Sequence, residues 1–208
     1  RGGQFQINLA DGTKVWLNSD SQLKYPVRFT EGETRQVELV YGEAYFDVSP
    51  STEHKGAKLK VYHKAQEVEV LGTEFNIKAY KGETNIYTTL VEGAVAVTAN
   101  DKVKKLAPGQ QASLNINQNN ISVTTVDPYY EVSWKEGVFS FQGKRLEDLM
   151  KTLARWYDMD VVFENEALKD IKFNGTLKKE QSIEEVMSII KSMSINNYTI
   201  KNKTITIN

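Results

Sequence analysis

Short apolar stretches of period two recur through the first 130 residues, and this rhythm limits the fold more than any other feature of the chain. Lys14-Val15-Trp16-Leu17-Asn18 follows the turn pair Asp11-Gly12. Residues 36–39 and 44–48 flank Gly42, and 59–62 and 68–70 alternate strictly. Residues 74–80, 85–90, 94–98, 111–115 and 121–126 continue the series. Strand signals about 8–12 residues apart, broken by Gly and Asn, predict an all-β unit built as stacked hairpins, a sandwich, a barrel or a solenoid. No window of this region holds a helical period.

Three glycines punctuate the pattern. Val40-Tyr41-Gly42, Val70-Leu71-Gly72 and Val91-Glu92-Gly93 each read as a strand end with a sharp corner. Their spacings, 30 and 21 residues, are unequal. They fit either an irregular stack of hairpins or three independent corners. Pro108-Gly109 reads as a turn and residues 115–120 as a polar hairpin tip.

At Asp127-Pro128-Tyr129-Tyr130 the strand pattern stops, and proline pushes its predecessor out of helix. A linker is expected near 127–136, with an all-β domain over 1–130 and a second domain over 137–208. In the second part, residues 138–142 alternate as a strand. Leu146, Leu149, Met150, Leu153, Ala154, Trp156 and Tyr157 then fall at helical spacing. Short strands are expected at 160–164 and 171–177. Ser182 and Glu185 form a capping box opening a helix with the stripe Val186, Met187, Ile189, Ile190 and Met193. A terminal hairpin turns at Asn202-Lys203. The order β-α-β-β-α-β-β describes a small α+β domain with two helices on one face of a sheet, so the chain is α+β overall.

Composition narrows the chemistry. There is no cysteine, which excludes disulfides, thiolate metal sites and thiol catalysis. Net charge is −1. Residues 135–208 carry 12 basic and 11 acidic side chains and residues 1–134 carry 14 and 16, so neither part reads as a nucleic-acid binder. No apolar run reaches the roughly 18 residues that span a bilayer, and no signal peptide is evident. The chain reads either as a whole protein or as a soluble fragment of a longer one. His54 and His63 stand nine apart and read as surface residues, not as a metal pair. No nucleophile elbow, P-loop or dinucleotide fingerprint is present. Glu43, Glu74 and Glu92 beside the glycine corners could serve a glycosidase only if two of them met across a cleft. No catalytic residue, metal or cofactor is expected.

Two features point to protein recognition. Trp156 and Tyr157 are adjacent at a helix end and cannot share one face, so one should reach another surface. The terminal segment Thr204-Ile205-Thr206-Ile207 alternates and, at a sheet edge, would offer backbone groups to a partner strand; inside its own sheet it would not. The candidate contacts are Leu146, Leu149, Arg155, Trp156 and Tyr157 on the helix, with Thr204, Ile205, Thr206 and Ile207. Leu149 and Leu153 read as core more readily than as interface. An alternative is a ligand- or carbohydrate-binding β module using exposed Tyr or Trp, without catalysis.

The residue blocks also carry a family resemblance. Asp11-Gly12-Thr13-Lys14-Val15-Trp16-Leu17-Asn18, Gly42-Glu43-Ala44-Tyr45-Phe46-Asp47-Val48 and Val70-Leu71-Gly72-Thr73-Glu74-Phe75-Asn76-Ile77 resemble signature blocks of FecR-like anti-sigma factors. Leu90-Val91-Glu92-Gly93-Ala94-Val95, Leu106-Ala107-Pro108-Gly109-Gln110-Gln111, Trp134-Lys135-Glu136-Gly137-Val138-Phe139-Ser140-Phe141 and Leu153-Ala154-Arg155-Trp156-Tyr157 continue in order. The tail is similar to the C-terminal domain of Bacteroidetes members. The resemblance implies a single-pass inner-membrane regulator whose periplasmic part senses an outer-membrane TonB-dependent transporter through that transporter's N-terminal signalling domain. A sigma factor would be bound only by a cytoplasmic segment, and the membrane met only by a helix, that this sequence lacks. The second domain's element order is similar to the short signalling domains of secretins and TonB-dependent receptors.

Overall fold

The structure, a computed structural model, describes residues 1–195 and 197–208. The chain divides into two compact units, Gln4–Val132 and a second made of Arg1–Gly3 with Ser133–Asn208.

The first unit is built on twelve strands: β1 Phe5–Asn8, β2 Lys14–Leu17, β3 Gln22–Lys24, β4 Arg35–Asp47, β5 Leu59–His63, β6 Gln66–Val70, β7 Glu74–Ala79, β8 Asn85–Glu92, β9 Val95–Ala99, β10 Lys102–Leu106, β11 Gln110–Asn115 and β12 Asn120–Thr125. They form one sheet in the order β10-β9-β6-β5-β4-β7-β8-β11-β12, with β2 and β3 also on β4 and β1 on β2. All pairings in it are antiparallel except β4 with β5.

The long strand β4 organises the unit. Its first part, Arg35 to Glu38, pairs with β5, and its second, Gly42 to Asp47, pairs with β7. In the first part Val37 and Leu39 face inward; in the second Ala44 and Phe46 do, so the buried parity switches from odd to even. The switch is a bulge: Gln22 opposes Tyr41 but Leu23 opposes Leu39, leaving Val40 as the extra residue. A one-residue slip would otherwise turn the apolar set to the wrong face. Both flanks of β4 therefore bury their side chains in a single core that includes Val37, Leu59, Val68, Phe46, Phe75 and Leu114. Phe46 and Phe75 stack at 5.0 Å.

The glycines do different jobs from those their spacing suggested. Gly42 lies inside β4, at φ 103°, and not at a strand end. A Cβ there would sit 2.4 Å from the Ser21 Cα, so only glycine lets the β2–β3 loop lie on the strand. Gly72 and Gly93 do mark corners, and they pack on one another: a Cβ on Gly93 would come 2.7 Å from the Gly72 carbonyl oxygen. Residues after β12 are helical turns, not extended linker: α1 Tyr129–Val132 runs into a 3-10 turn, Ser133–Glu136.

The second unit continues with β13 Val138–Arg145, α2 Leu146–Tyr157, β14 Asp160–Phe163, β15 Lys172–Lys178, α3 Ile183–Ser194, β16 Tyr198–Lys201 and β17 Thr204–Ile207. The element order matches expectation, but the described residues form two small sheets and not one. β13 pairs antiparallel with β15; β17 pairs parallel with β14 and antiparallel with β16. Ser182 and Glu185 form the capping box that opens α3. Val186, Met187 and Ile190 of α3 are buried, whereas Ile189 and Met193 face outward. The final hairpin turns on Asn202 and Lys203, both at positive φ, as a two-residue turn requires.

Candidate interaction site on the C-terminal unit

The 3.6-residue period of α2 turns Leu146, Leu149, Met150 and Leu153 inward, and all four are wholly buried. Leu146 and Leu149 are therefore core and leave no surface for a partner, a correction to their place among the candidate contacts. Arg155, Trp156 and Tyr157 make the last turn and are half-buried.

The polar tips of Trp156 and Tyr157 are both used within the unit. The Trp156 indole N–H donates to the Lys179 carbonyl at 3.2 Å, and the Tyr157 hydroxyl donates to the Gln181 carbonyl at 2.7 Å. The aromatic pair thus anchors the turn that leads into α3. Burial pushes the Tyr157 phenol above its usual pKa, with the Glu185 and Glu184 carboxylates adding to the rise.

Helix α2 ends on Asp158 in the left-handed conformation, its N–H bonded to the Ala154 carbonyl. The Asp158 carboxylate accepts from Lys203 Nζ at 2.8 Å, and Asp160 N–H donates to the Lys203 carbonyl at 2.8 Å. The Lys203 hydrogen bond and charge hold the Asp158 carboxyl below the usual range, and Arg1 adds in the same direction. The end of α2 and the turn before Thr204 are therefore neighbours.

The terminal strand does not lie at an edge. β17 is the central strand of its sheet, with β14 on one side and β16 on the other. Its backbone groups are taken, so strand addition to β17 is excluded by geometry. Ile205 and Ile207 are wholly buried, and Thr204 and Thr206 keep partly exposed side chains on the opposite face. Of the candidate contacts, Arg155, Trp156, Tyr157, Thr204 and Thr206 remain at the surface.

The sequence reading missed Lys179. It is 7% exposed, and its Nζ lies 4.3 Å from the Trp156 ring centroid, 5.0 Å from Phe139 and 5.4 Å from Trp134. In the sequence it belongs to Lys178-Lys179-Glu180-Gln181, which reads as a solvated charge run.

The first unit holds two further polar clusters. Arg35 and Asp11 form an ion pair at 2.6 Å with both side chains 2% exposed. Arg35 also donates to the Ser49 and Ala57 carbonyls, and Asp11 accepts from Thr13. The pair borders a cleft of about 510 Å³ whose wall includes Phe29, Arg28, Glu33, Glu53 and His54. Glu43 is buried, with its carboxylate accepting from the Asn18 and Asn76 amides at 2.8 and 3.0 Å. Glu74 and Glu92 stand opposite one another across β7 and β8, and Glu74 accepts from the Tyr45 hydroxyl. None of these three glutamates lines the cleft. The histidines are half-buried and not simply at the surface: His54 Nε2 lies 2.8 Å from the Ser49 hydroxyl, and His63 Nδ1 accepts from the Ala65 N–H. Among the described residues no helix is long and apolar enough to cross a membrane.

Two family models match the chain: FecR protein over residues 1–96 and FecR, C-terminal, over 138–207. No curated relative matches it. Among solved structures, the chain is similar to a protein described as a "putative anti-sigma factor" from Parabacteroides distasonis ATCC 8503. The crystal structure at 1.65 Å is 28% identical, with TM-score 0.87 over 100% of this chain and 95% of that one. A second crystal structure of such a protein, at 2.50 Å, gives 28% identity and TM-score 0.86 over 99% and 94%. The likeness runs through both units in order. The chain belongs to the FecR family, as a FecR-like anti-sigma factor, and the family is one of sigma regulators.

Proposed function

We propose that this chain is the periplasmic sensor region of an inner-membrane sigma regulator, and that it reports the state of an outer-membrane TonB-dependent transporter by binding that transporter's N-terminal signalling domain. It acts as a recognition module and not as an enzyme. A sigma factor is reached only through a cytoplasmic segment outside this sequence. A partner with equal affinity for every state of the system would shift nothing, so the interface must differ between loaded and empty transporter.

We assign the docking surface to the C-terminal unit. The observation that carries this choice is the Asp158–Lys203 contact, which joins the end of α2 to the last hairpin. It sets Arg155, Trp156 and Tyr157 beside the turn that leads into Thr204 and Thr206. The unit's element order, similar to the short domains of secretins and TonB-dependent receptors, supports pairing between like domains; such fold analogy names no surface by itself. Calorimetric titration of the chain with the signalling domain of a transporter encoded beside it tests the proposal. One-to-one saturable binding is expected, and absence of binding to any neighbouring transporter overturns it.

The cleft beside Phe29 favours a second reading, a small-ligand or carbohydrate module on the first unit. Its size and its mixture of one aromatic with donors and acceptors suit a polar ligand. A glycan titration followed by NMR shifts around Phe29 and Arg28 tests it. Tryptophan emission is the wrong probe here, because Trp16 packs edge-on against Tyr45 and does not line the cleft.

A further inference from the structure

The Lys179 cage does more than fill the core of its unit. Trp156 reaches it from α2, Phe139 from β13, and Trp134 from the 3-10 turn Ser133–Glu136. That turn is the first stretch of the C-terminal unit after the chain leaves Val132. Two backbone bonds help to hold it: Gly137 N–H donates to the Trp134 carbonyl at 3.2 Å, and Lys179 N–H donates to the Gly137 carbonyl at 2.9 Å. The buried Trp134 indole nitrogen has no hydrogen-bond partner. The placement of this ring therefore rests on packing and on the cation beside it. A desolvated ammonium over aromatic faces is attracted by their quadrupoles.

We infer that Lys179 is a latch fixing residues 133–137 onto the C-terminal unit, so that its release lengthens the chain connecting the two units. Five freed residues can span at most roughly 17 Å, at about 3.3–3.6 Å each, against about 2 Å per residue in the 3-10 turn. Trp156 is the shared element. Its N–H clamps the Lys179 carbonyl, and its ring carries the Lys179 ammonium. A protein that draws the Trp156 ring into its own interface competes with Lys179 and opens the latch. That coupling rests on the docking surface proposed above; the latch itself does not.

Hydrogen exchange of the full chain, read on the amides of residues 134–137, tests the latch directly. K179M keeps the aliphatic stem and removes the charge. It is expected to speed exchange there about tenfold, with the strands of the first unit unchanged. K179R keeps a cation and is expected to stay within about threefold of the parent. Unchanged exchange in K179M overturns the proposal, as does equal acceleration in K179M and K179R. A measurement without any variant guards against misfolding. In the parent protein the Lys179 ε-methylene protons should resonate upfield of the other lysines, because the Nζ they adjoin lies over ring faces. An ordinary position for them overturns the proposal as well.

Discussion

Arg35 and Asp11 meet at 2.6 Å with both side chains 2% exposed, at the start of the strand that organises the first unit. Two charges taken out of water need each other and further polar partners. Here the Ser49 and Ala57 carbonyls and Thr13 supply them. Removing one partner leaves a buried charge uncompensated, so D11A is expected to lower stability by about 3–5 kcal/mol. The double variant R35M/D11A should recover a good part of that loss, because no lone charge remains. Urea denaturation of the parent, D11A, R35M and the double variant measures the difference; an additive double variant contradicts this account.

Gly42 governs the neighbouring bend. G42A would place a methyl group 2.4 Å from the Ser21 Cα at a backbone φ of 103°. Ser21 Oγ and Cβ would lie at 2.2 and 2.4 Å as well, but the backbone Cα clash remains when the side chain is trimmed. G42A should cost about 2 kcal/mol or more, and S21G should not rescue it. G82A meets no neighbour within 4 Å and shows the cost of positive φ alone.

His63 makes stability depend on pH. Burial lowers its folded pKa, against a smaller raising effect from Glu38. The unfolded chain then binds a proton at higher pH than the folded one does. This contribution is intact above the unfolded value, about 6.5, and falls as pH drops towards the lowered folded value. Melting temperature measured from pH 7.5 to 5 should decline in the parent, and H63N should flatten part of that decline. An identical slope in both proteins contradicts the assignment.

Asp158 acts in the same direction, in a more acidic window. Its folded pKa is depressed by Lys203, so its contribution is present above the unfolded carboxylate value and is lost as pH falls through the lowered folded one. An NMR titration should place its midpoint below that of a free aspartate. K203A should return it towards the ordinary value and loosen the turn before Thr204. A midpoint unmoved by K203A would break the link between α2 and the last hairpin.

Much of the fold is legible in the sequence where the physics is local. The alternation of β5 and β6, the stripe of α2, the Ser182 capping box and the Asn202-Lys203 turn depend on residues within a few positions of each other. The edge strand β10 escapes a period-two reading because Lys102, Val103, Lys104 and Lys105 are all exposed. The position of β17 is not local at all: Ile205 and Ile207 alternate with threonine in the same way at an edge or a centre. Only pairing with β14, some forty residues earlier, decides it. Lys179 looks solvated beside Lys178 and Glu180, because the rings that enclose it come from positions 134, 139 and 156. Arg35, by contrast, left a signal: it shares the inward parity of Val37 and Leu39. A charge on the buried side of a strand calls for a partner, and Asp11 supplies it.

The docking of a transporter signalling domain on the C-terminal unit is tested most directly by titrating that domain into R155E, into T206K and into a control, T124K, on the first unit. Both C-terminal variants leave buried side chains untouched. The account predicts that R155E and T206K each weaken binding at least tenfold while T124K binds like the parent. Equal affinity for all four proteins, with each shown to be folded, would contradict it.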